Sequence, residues 1–266
     1  MSSFCLTRDR PCSDWQQFPY ILSGYRKDIT SYREAARTLF TIHNETANIW
    51  TMIMLFFMAA GLFAYTIAFG EGDIVPFALF FCASAIHLPF SVGYHLFLPI
   101  SNEVKTKWRN LDITFIFISA TLFALAFGYS VLDNSMLLLL GAVCSGVTTH
   151  GVYIIRTRVV YDRVLVCKLI GVVVVCYLFP MYYHAFAESD LLSFYLAVGT
   201  TVVMGASAIA YKDCIPERFA PGKYDLIGNS HNIMHLGLIV AYVIEYAFIW
   251  HVARLCVAHE IGVARA

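Results

Sequence analysis

The sequence predicts an all-α integral membrane protein: a bundle of seven transmembrane helices preceded by a short amphipathic helix. Of the 266 residues, 59% are hydrophobic and 14% charged, and the mean hydropathy is +0.67. That is too apolar for a water-soluble globule of this length. Roughly 20 apolar residues cross a bilayer as a helix, and seven runs of about that length follow one another. Basic residues gather on alternate connections between the runs, as they do in multi-span proteins.

The chain starts with a polar tail, expected to span residues 1–27, and the remainder, 28–266, reads as one membrane domain. The opening stretch carries Arg8-Asp9-Arg10-Pro11 and no apolar core, so no cleavable signal peptide is expected and the first span is expected to direct insertion. From Asp28 to Thr41, Tyr32, Ala35, Ala36, Leu39 and Phe40 recur at helical spacing opposite Arg33, Glu34 and Arg37. That pattern predicts a short helix lying on the membrane surface. The spans then run approximately Asn44 to Gly70, Ile74 to Pro99, Leu111 to Leu132, Ser135 to Ile155, Val164 to Phe186, Leu191 to Tyr211 and His231 to Val252. Pro89 and Pro180 fall inside spans two and five, where each removes a backbone hydrogen bond. Small residues at four-residue spacing, Ala197, Thr201 and Gly205 on span six and Gly141 and Ser145 on span four, predict close helix approach.

Sixteen of the eighteen Lys and Arg residues lie before the first span or in the regions after spans two, four and six, counting Lys168 at the start of span five. The connections after spans one, three and five hold Glu71, Asp73, Asp133, Glu188 and Asp190 and no Lys or Arg. A cytoplasmic N-terminus and an opposite C-terminus are therefore expected, in a plasma or internal membrane. On that topology the sequon Asn44-Glu45-Thr46 never meets the glycosylation machinery, so Asn44 reads as structural. Formal net charge is zero and the sequence pI is about 7.1, so no nucleic-acid partner is expected. Cys82, Cys144, Cys167 and Cys176 fall inside apolar runs, where cysteine usually packs as a small hydrophobe.

The polar residues inside these runs carry the chemistry. Ser230-His231-Asn232-Ile233-Met234-His235 places two imidazoles four residues apart, hence on one helix face. Such a pair can ligate one zinc ion. The spacing matches the metalloprotease H-E-x-x-H helix, but Asn232 stands where that motif has its glutamate, so any catalytic carboxylate comes from elsewhere. Span two carries His87, Ser91 and His95 on one face, with His95 about 6 Å of helical rise from Pro99. Span three opens with Asn110-Leu111-Asp112. On the expected topology His95, Asp112, His231 and His235 share one depth, the last three in the first turns of their helices or just beyond. Ionisable groups at membrane depth face one another or a water-filled cavity. Three histidines would leave zinc a fourth position for water; the same groups could equally form an interhelical hydrogen-bond cluster without metal. His150 is a rival ligand on depth alone, and His87, about 12 Å of rise from His95, reads as cavity-lining. Glu45 and Asn48 read as ties between span one and its neighbours, Glu45 with a possible place behind a ligand; His43 reads as interfacial and Glu245 as structural.

Several motifs together resemble the progestin and adipoQ receptor family, which includes adiponectin receptors and haemolysin III-like proteins. They are Gly24-Tyr25-Arg26, Ile42 to Thr51, Ser91-Val92-Gly93-Tyr94-His95, Leu111-Asp112, the His231–His235 pair, and Ile215 to Asp225 before span seven. The resemblance implies zinc held by His95, His231 and His235, with Asp112 and Ser91 near the zinc-bound water. It also implies an activity like that associated with adiponectin receptors, hydrolysis of ceramide. Two readings of function follow. One is an intramembrane zinc-dependent amidohydrolase acting on a ceramide-like lipid, with Asp112 as general base and Ser91 orienting water or substrate. The other is a seven-span receptor for a lipid, steroid or protein ligand, with zinc structural. Recognition of an adiponectin-like hormone is not expected, because the tail before the first span is short.

Overall fold

The structure, a computed structural model, describes residues 14–157 and 163–265. Among these residues the helices in order are α1 (Tyr32–Arg37), α2 (Thr46–Phe69), α3 (Val75–Phe97), α4 (Asn102–Val131), α5 (Asn134–Thr157), α6 (Arg163–Ala187), α7 (Leu191–Lys212) and α8 (Ser230–Arg265). Seven of them, α2 to α8, are long and apolar enough to cross a membrane, and no strand occurs among the described residues. The protein is a multi-pass integral membrane protein. Tail residues 1–13, with Arg8 and Arg10, lie outside the described residues, as does Arg158.

The polar breaks between spans supply the helix starts. A helix leaves its first N–H groups unpaired, and a short polar side chain just before it accepts from them. Asp73 Oδ1 accepts from Val75 N at 2.9 Å, Ser101 Oγ from Val104 N at 3.1 Å, and Asp133 Oδ1 from Ser135 N and Met136 N at 2.8 and 2.9 Å. Asn229 Oδ1 does the same for His231 N and Asn232 N, both at 3.1 Å. At α1, Ser31 and Glu34 form a reciprocal capping box. The helix expected between Asp28 and Thr41 is thus present but short. Ala35 is its buried residue, and Phe40, just beyond it in a 3-10 turn, is 80% exposed.

Two helices differ in extent from the apolar runs. α4 starts at Asn102, nine residues before Leu111, because Glu103, Lys105 and Lys107 are good helix formers and Ser101 caps them. Asp112 therefore lies nearly three turns into its helix, not in the first turn. α8 likewise continues past Val252 to Arg265. Pro89 and Pro180 lie within unbroken helices α3 and α6.

The chain forms two compact units. Of the described residues, the first comprises those up to Leu55, Leu88–Asp112 and Val203–Val240; the second comprises Phe56–His87, those between Ile113 and Val202, and those from Ala241. In the first, glycines sit where two helices meet closely. A Cβ on Gly93 would run into the Trp108 ring, and one on Gly237 into the Ser207 side chain. Those contacts bring α4 against α3 and α7 against α8. The small-residue faces expected from the sequence pack unevenly: Ala197 is fully buried and a Cβ on Gly141 would meet Leu125 at 3.4 Å, but one on Gly205 would meet nothing within 4 Å. Small size permits close approach without causing it; the partner helix must also be there.

In the second unit an aromatic cluster supplies much of the packing. Phe80 lies 4.4 Å from Tyr242 and 5.1 Å from Phe123, centroid to centroid. Glu245 is buried there and hydrogen-bonds to Tyr177, the structural place expected of it.

Candidate metal centre

His231 and His235 lie in the first two turns of α8 with ring centroids 4.8 Å apart, as four-residue spacing requires. His95, near the end of α3, is the third member. Its ring lies 4.8 Å from that of His231 and 5.2 Å from that of His235, edge to face with both. One ring nitrogen from each histidine falls within 4.8 Å of the others. His95 and His235 are 1% and 2% exposed, and His231 is partly exposed.

Which nitrogens face inward follows from what the others bond. His95 Nδ1 lies 2.7 Å from Glu45 Oε2. A carboxylate there accepts a proton-bearing nitrogen, so Nδ1 carries the hydrogen and Nε2 keeps its lone pair. His235 Nδ1 lies 3.0 Å from Thr51 Oγ1 and 3.2 Å from the Asn48 carbonyl. The Thr51 hydroxyl already donates to the Ala47 carbonyl at 2.7 Å, so it accepts from His235 Nδ1. Again Nε2 is left for the cluster. Neutral imidazoles with the far nitrogen engaged are the usual form of zinc-ligating histidine. The residues present fit zinc: three nitrogen donors from two helices, two of them buried and with the tautomer set.

The supporting groups come from one face at the start of α2. Glu45, Asn48 and Thr51 recur every three residues. Glu45 Oε2 also accepts from Asn48 Nδ2 at 2.8 Å, and Asn48 Oδ1 accepts from Asn232 Nδ2 at 2.6 Å. Asn232 Oδ1 in turn accepts from Gly228 N at 2.8 Å. The residue standing in place of the H-E-x-x-H glutamate is thus a strut between α8 and α2. Glu45 is fully buried. Burial pushes its carboxyl up, but the hydrogen bond and charge from His95, with His231 and Asn48, outweigh that and hold it well below the usual carboxylate range.

His43 and Arg26 complete this surround. His43, just before α2, is 2% exposed and packed inside the protein. Its Nδ1 accepts from Glu45 N at 3.1 Å, and burial and then the Arg26 charge push its pKa down to about 3, so it is neutral. Arg26 is also buried, and burial lowers its pKa to about 10, so it stays cationic at neutral pH. Its guanidinium donates to the carbonyls of His95 and Leu96 at 2.6 and 2.8 Å and to Thr38 Oγ1 at 2.9 Å. It therefore ties the end of the His95 helix to the chain before α2. Asn44 is 5% exposed, as a structural residue would be.

Asp112 is partly exposed and close enough to His231 and Tyr94 to interact with them electrostatically. Ser91 is 3% exposed, one turn before His95. His150 is exposed on α5 and stands outside the three-histidine group. Helical depth alone overrated it, because depth says nothing of the direction a side chain takes. His87 is likewise outside that group and is partly exposed in the second unit. Glu45 and Thr51 were the residues whose importance sequence reasoning undervalued. Polar residues at three-residue spacing on an otherwise apolar helix were the available signal.

Seven long apolar helices with a buried three-histidine cluster define a class of integral membrane protein, and sequence comparison names its family. The pattern of the haemolysin-III related family matches residues 40–246, and the chain belongs to that family. An uncharacterised protein of Schizosaccharomyces pombe is 27% identical over 87% of this chain and 56% of its own length. Human membrane progestin receptor gamma is 24% identical over 83% of this chain and 73% of its own length. The Drosophila melanogaster adiponectin receptor protein is 24% identical over 87% and 55%. The chain thus spans little more than half the length of the yeast and fly proteins. These relatives agree with the progestin and adipoQ receptor family that the motifs resemble.

Proposed function

We propose that the protein is an intramembrane zinc-dependent hydrolase that cleaves the amide of a ceramide-like lipid into a fatty acid and an amine. The observation that carries this reading is the convergence of His95, His231 and His235, with Nδ1 of His95 and His235 bonded away from the cluster. Bound there, zinc supplies Lewis-acid polarisation of a carbonyl and acidification of water. Asp112 accepts a proton from the attacking water, the role Asn232 cannot fill because its side chain is an amide bonded to Asn48 and Gly228. Ser91, buried on the His95 face, orients water or the lipid headgroup. Apolar walls of the helices hold the acyl chain, which suits a lipid better than a water-soluble amide.

A second reading is supported by the names of two of these relatives, a membrane progestin receptor and an adiponectin receptor protein. In it the zinc is structural, and a lipid, steroid or protein ligand shifts the helices. Purified protein in detergent or lipid separates the two. Turnover of a panel of ceramides and related amides, lost with a chelator and restored by zinc, is expected. D112N should keep its zinc while hydrolysis falls by roughly 10²- to 10⁴-fold, the usual cost of losing a positioned base. A zinc-loaded protein that turns over none of the panel moves the assignment to the receptor.

A further inference from the structure

Glu45 bonds the ligand histidine on its far side from the cluster, and it does not move freely. Its Oε2 is fixed by His95 Nδ1 at 2.7 Å and Asn48 Nδ2 at 2.8 Å, and Asn48 is held by Asn232 on the helix that carries the other two histidines. A continuous hydrogen-bonded chain thus runs from Gly228 through Asn232, Asn48 and Glu45 to His95. It links the two separately anchored parts of the cluster through a third helix, α2. At the other end of the same residue, Arg26 holds the His95 backbone carbonyl.

We propose that Glu45 is a positioning residue of the metal centre. Its carboxylate turns Nε2 of His95 to the cluster, fixes that tautomer and strengthens the nitrogen as a donor, and Asn48 and Asn232 keep the carboxylate in register with α8. The proposal rests on the three-histidine cluster being a metal site. An anionic acceptor makes an imidazole more basic than a neutral one does, so charge matters here as well as shape. Thr51 does for His235 with a neutral hydroxyl what Glu45 does for His95 with a charge. The two histidines are therefore unequal partners, and His95 is the stronger donor.

The test uses full-length protein in detergent, with zinc affinity measured by competition against a chelator and thermal unfolding of the metal-free protein measured alongside. E45Q keeps the size of the side chain and one oxygen acceptor but removes the charge. It should weaken zinc binding about 10- to 100-fold, while T51V should weaken it less, because the Asn48 carbonyl remains for His235. E45D, which keeps the charge but shortens the reach, should also weaken binding. A merely structural Glu45 would instead lower the unfolding midpoint of the metal-free protein and leave the affinity of the folded fraction unchanged, which would overturn the proposal. So would E45Q binding zinc as tightly as wild type. Wild type that binds no zinc overturns the metal reading itself, an outcome distinct from either.

Discussion

Among the described residues, histidines meet a carboxylate in two places that are built inside out from one another. In the first unit three imidazoles face each other and the carboxylate of Glu45 stands behind one of them. In the second unit the carboxylate is the centre. Asp190 Oδ2 takes His251 Nε2 at 2.7 Å and Ser193 Oγ at 2.7 Å, with His184 Nε2 3.5 Å away. The inward nitrogen of His251 thus carries a proton and meets an anion. In the first cluster the protons of His95 and His235 point outward and lone pairs point in. Imidazoles gathered with at least two lone pairs directed inward suit a cation; a carboxylate already ringed by donors does not. Counting histidines would have treated the two places alike, whereas tautomer and direction separate them.

The largest test of that contrast is metal stoichiometry. Purified wild type should hold one zinc. The variant with both His231→Ala and His235→Ala should hold almost none, because a single imidazole cannot retain the ion against a modest chelator. The variant with both His184→Ala and His251→Ala should keep its one zinc. Elemental analysis of the three proteins decides the matter, and zinc lost from the second variant but kept by the first would invert the assignment.

Part of this was legible in the sequence. The seven spans follow from hydropathy, and His95, His231 and His235 stand out because imidazole is rare in apolar helices and four-residue spacing puts it on one face. What hydropathy could not see is the polar continuation of α4 from Asn102: helical structure needs helix formers and a cap, neither of which is apolar. Glu45 was hard to weigh for another reason. An acid at the edge of a first span is unremarkable by itself, and its meaning depends on His95, fifty residues away in the chain. Similarly, Asn232 reads in sequence as a missing glutamate, whereas in the fold its amide uses both donor and acceptor, for Asn48 and Gly228, as no carboxylate could.

The packing behind the first cluster gives a middle-sized effect. Gly93 lies two residues from His95, and the ring of Trp108 covers the place where a side chain would begin. Trp108 has little room to yield, since its ring lies 5.0 Å from that of Phe97 and its Nε1 donates to the Tyr32 hydroxyl at 3.3 Å. Alanine would gain up to about 1 kcal/mol of helix propensity, but overpacking of this kind costs typically 1–3 kcal/mol. G93A should therefore lower the unfolding midpoint and weaken zinc binding together, by separating α3 from α4. Alanine at Gly205, where a Cβ meets open space, should do neither. If G93A matches wild type in both measurements, the close approach at Trp108 does not hold His95 in place.

The second cluster should reveal itself through protons, with the smallest effect of the three. Asp190 sits just before α7, where it accepts from Leu192 N at 3.1 Å and from Ser193 Oγ at 2.7 Å. Burial works against its charge, but the bonds from Ser193 and His251 outweigh it and hold the carboxyl at about 2. In the unfolded chain an aspartate titrates near 3.9. The folded value is the lower one, so Asp190 contributes stability that is fully present above the unfolded value and is lost as pH falls through the folded one. With the carboxylate partly screened by solvent, the contribution is roughly 1–2 kcal/mol. D190N should lower the unfolding midpoint at pH 6 to 7, and the gap from wild type should close as the pH is taken down toward 2. Zinc content should be unaffected throughout the range in which wild type keeps it. A gap that stays constant from pH 7 to pH 2 would mean that Asp190 acts as a neutral cap, and the contrast between a cluster built for a cation and one built around an anion would lose its second half.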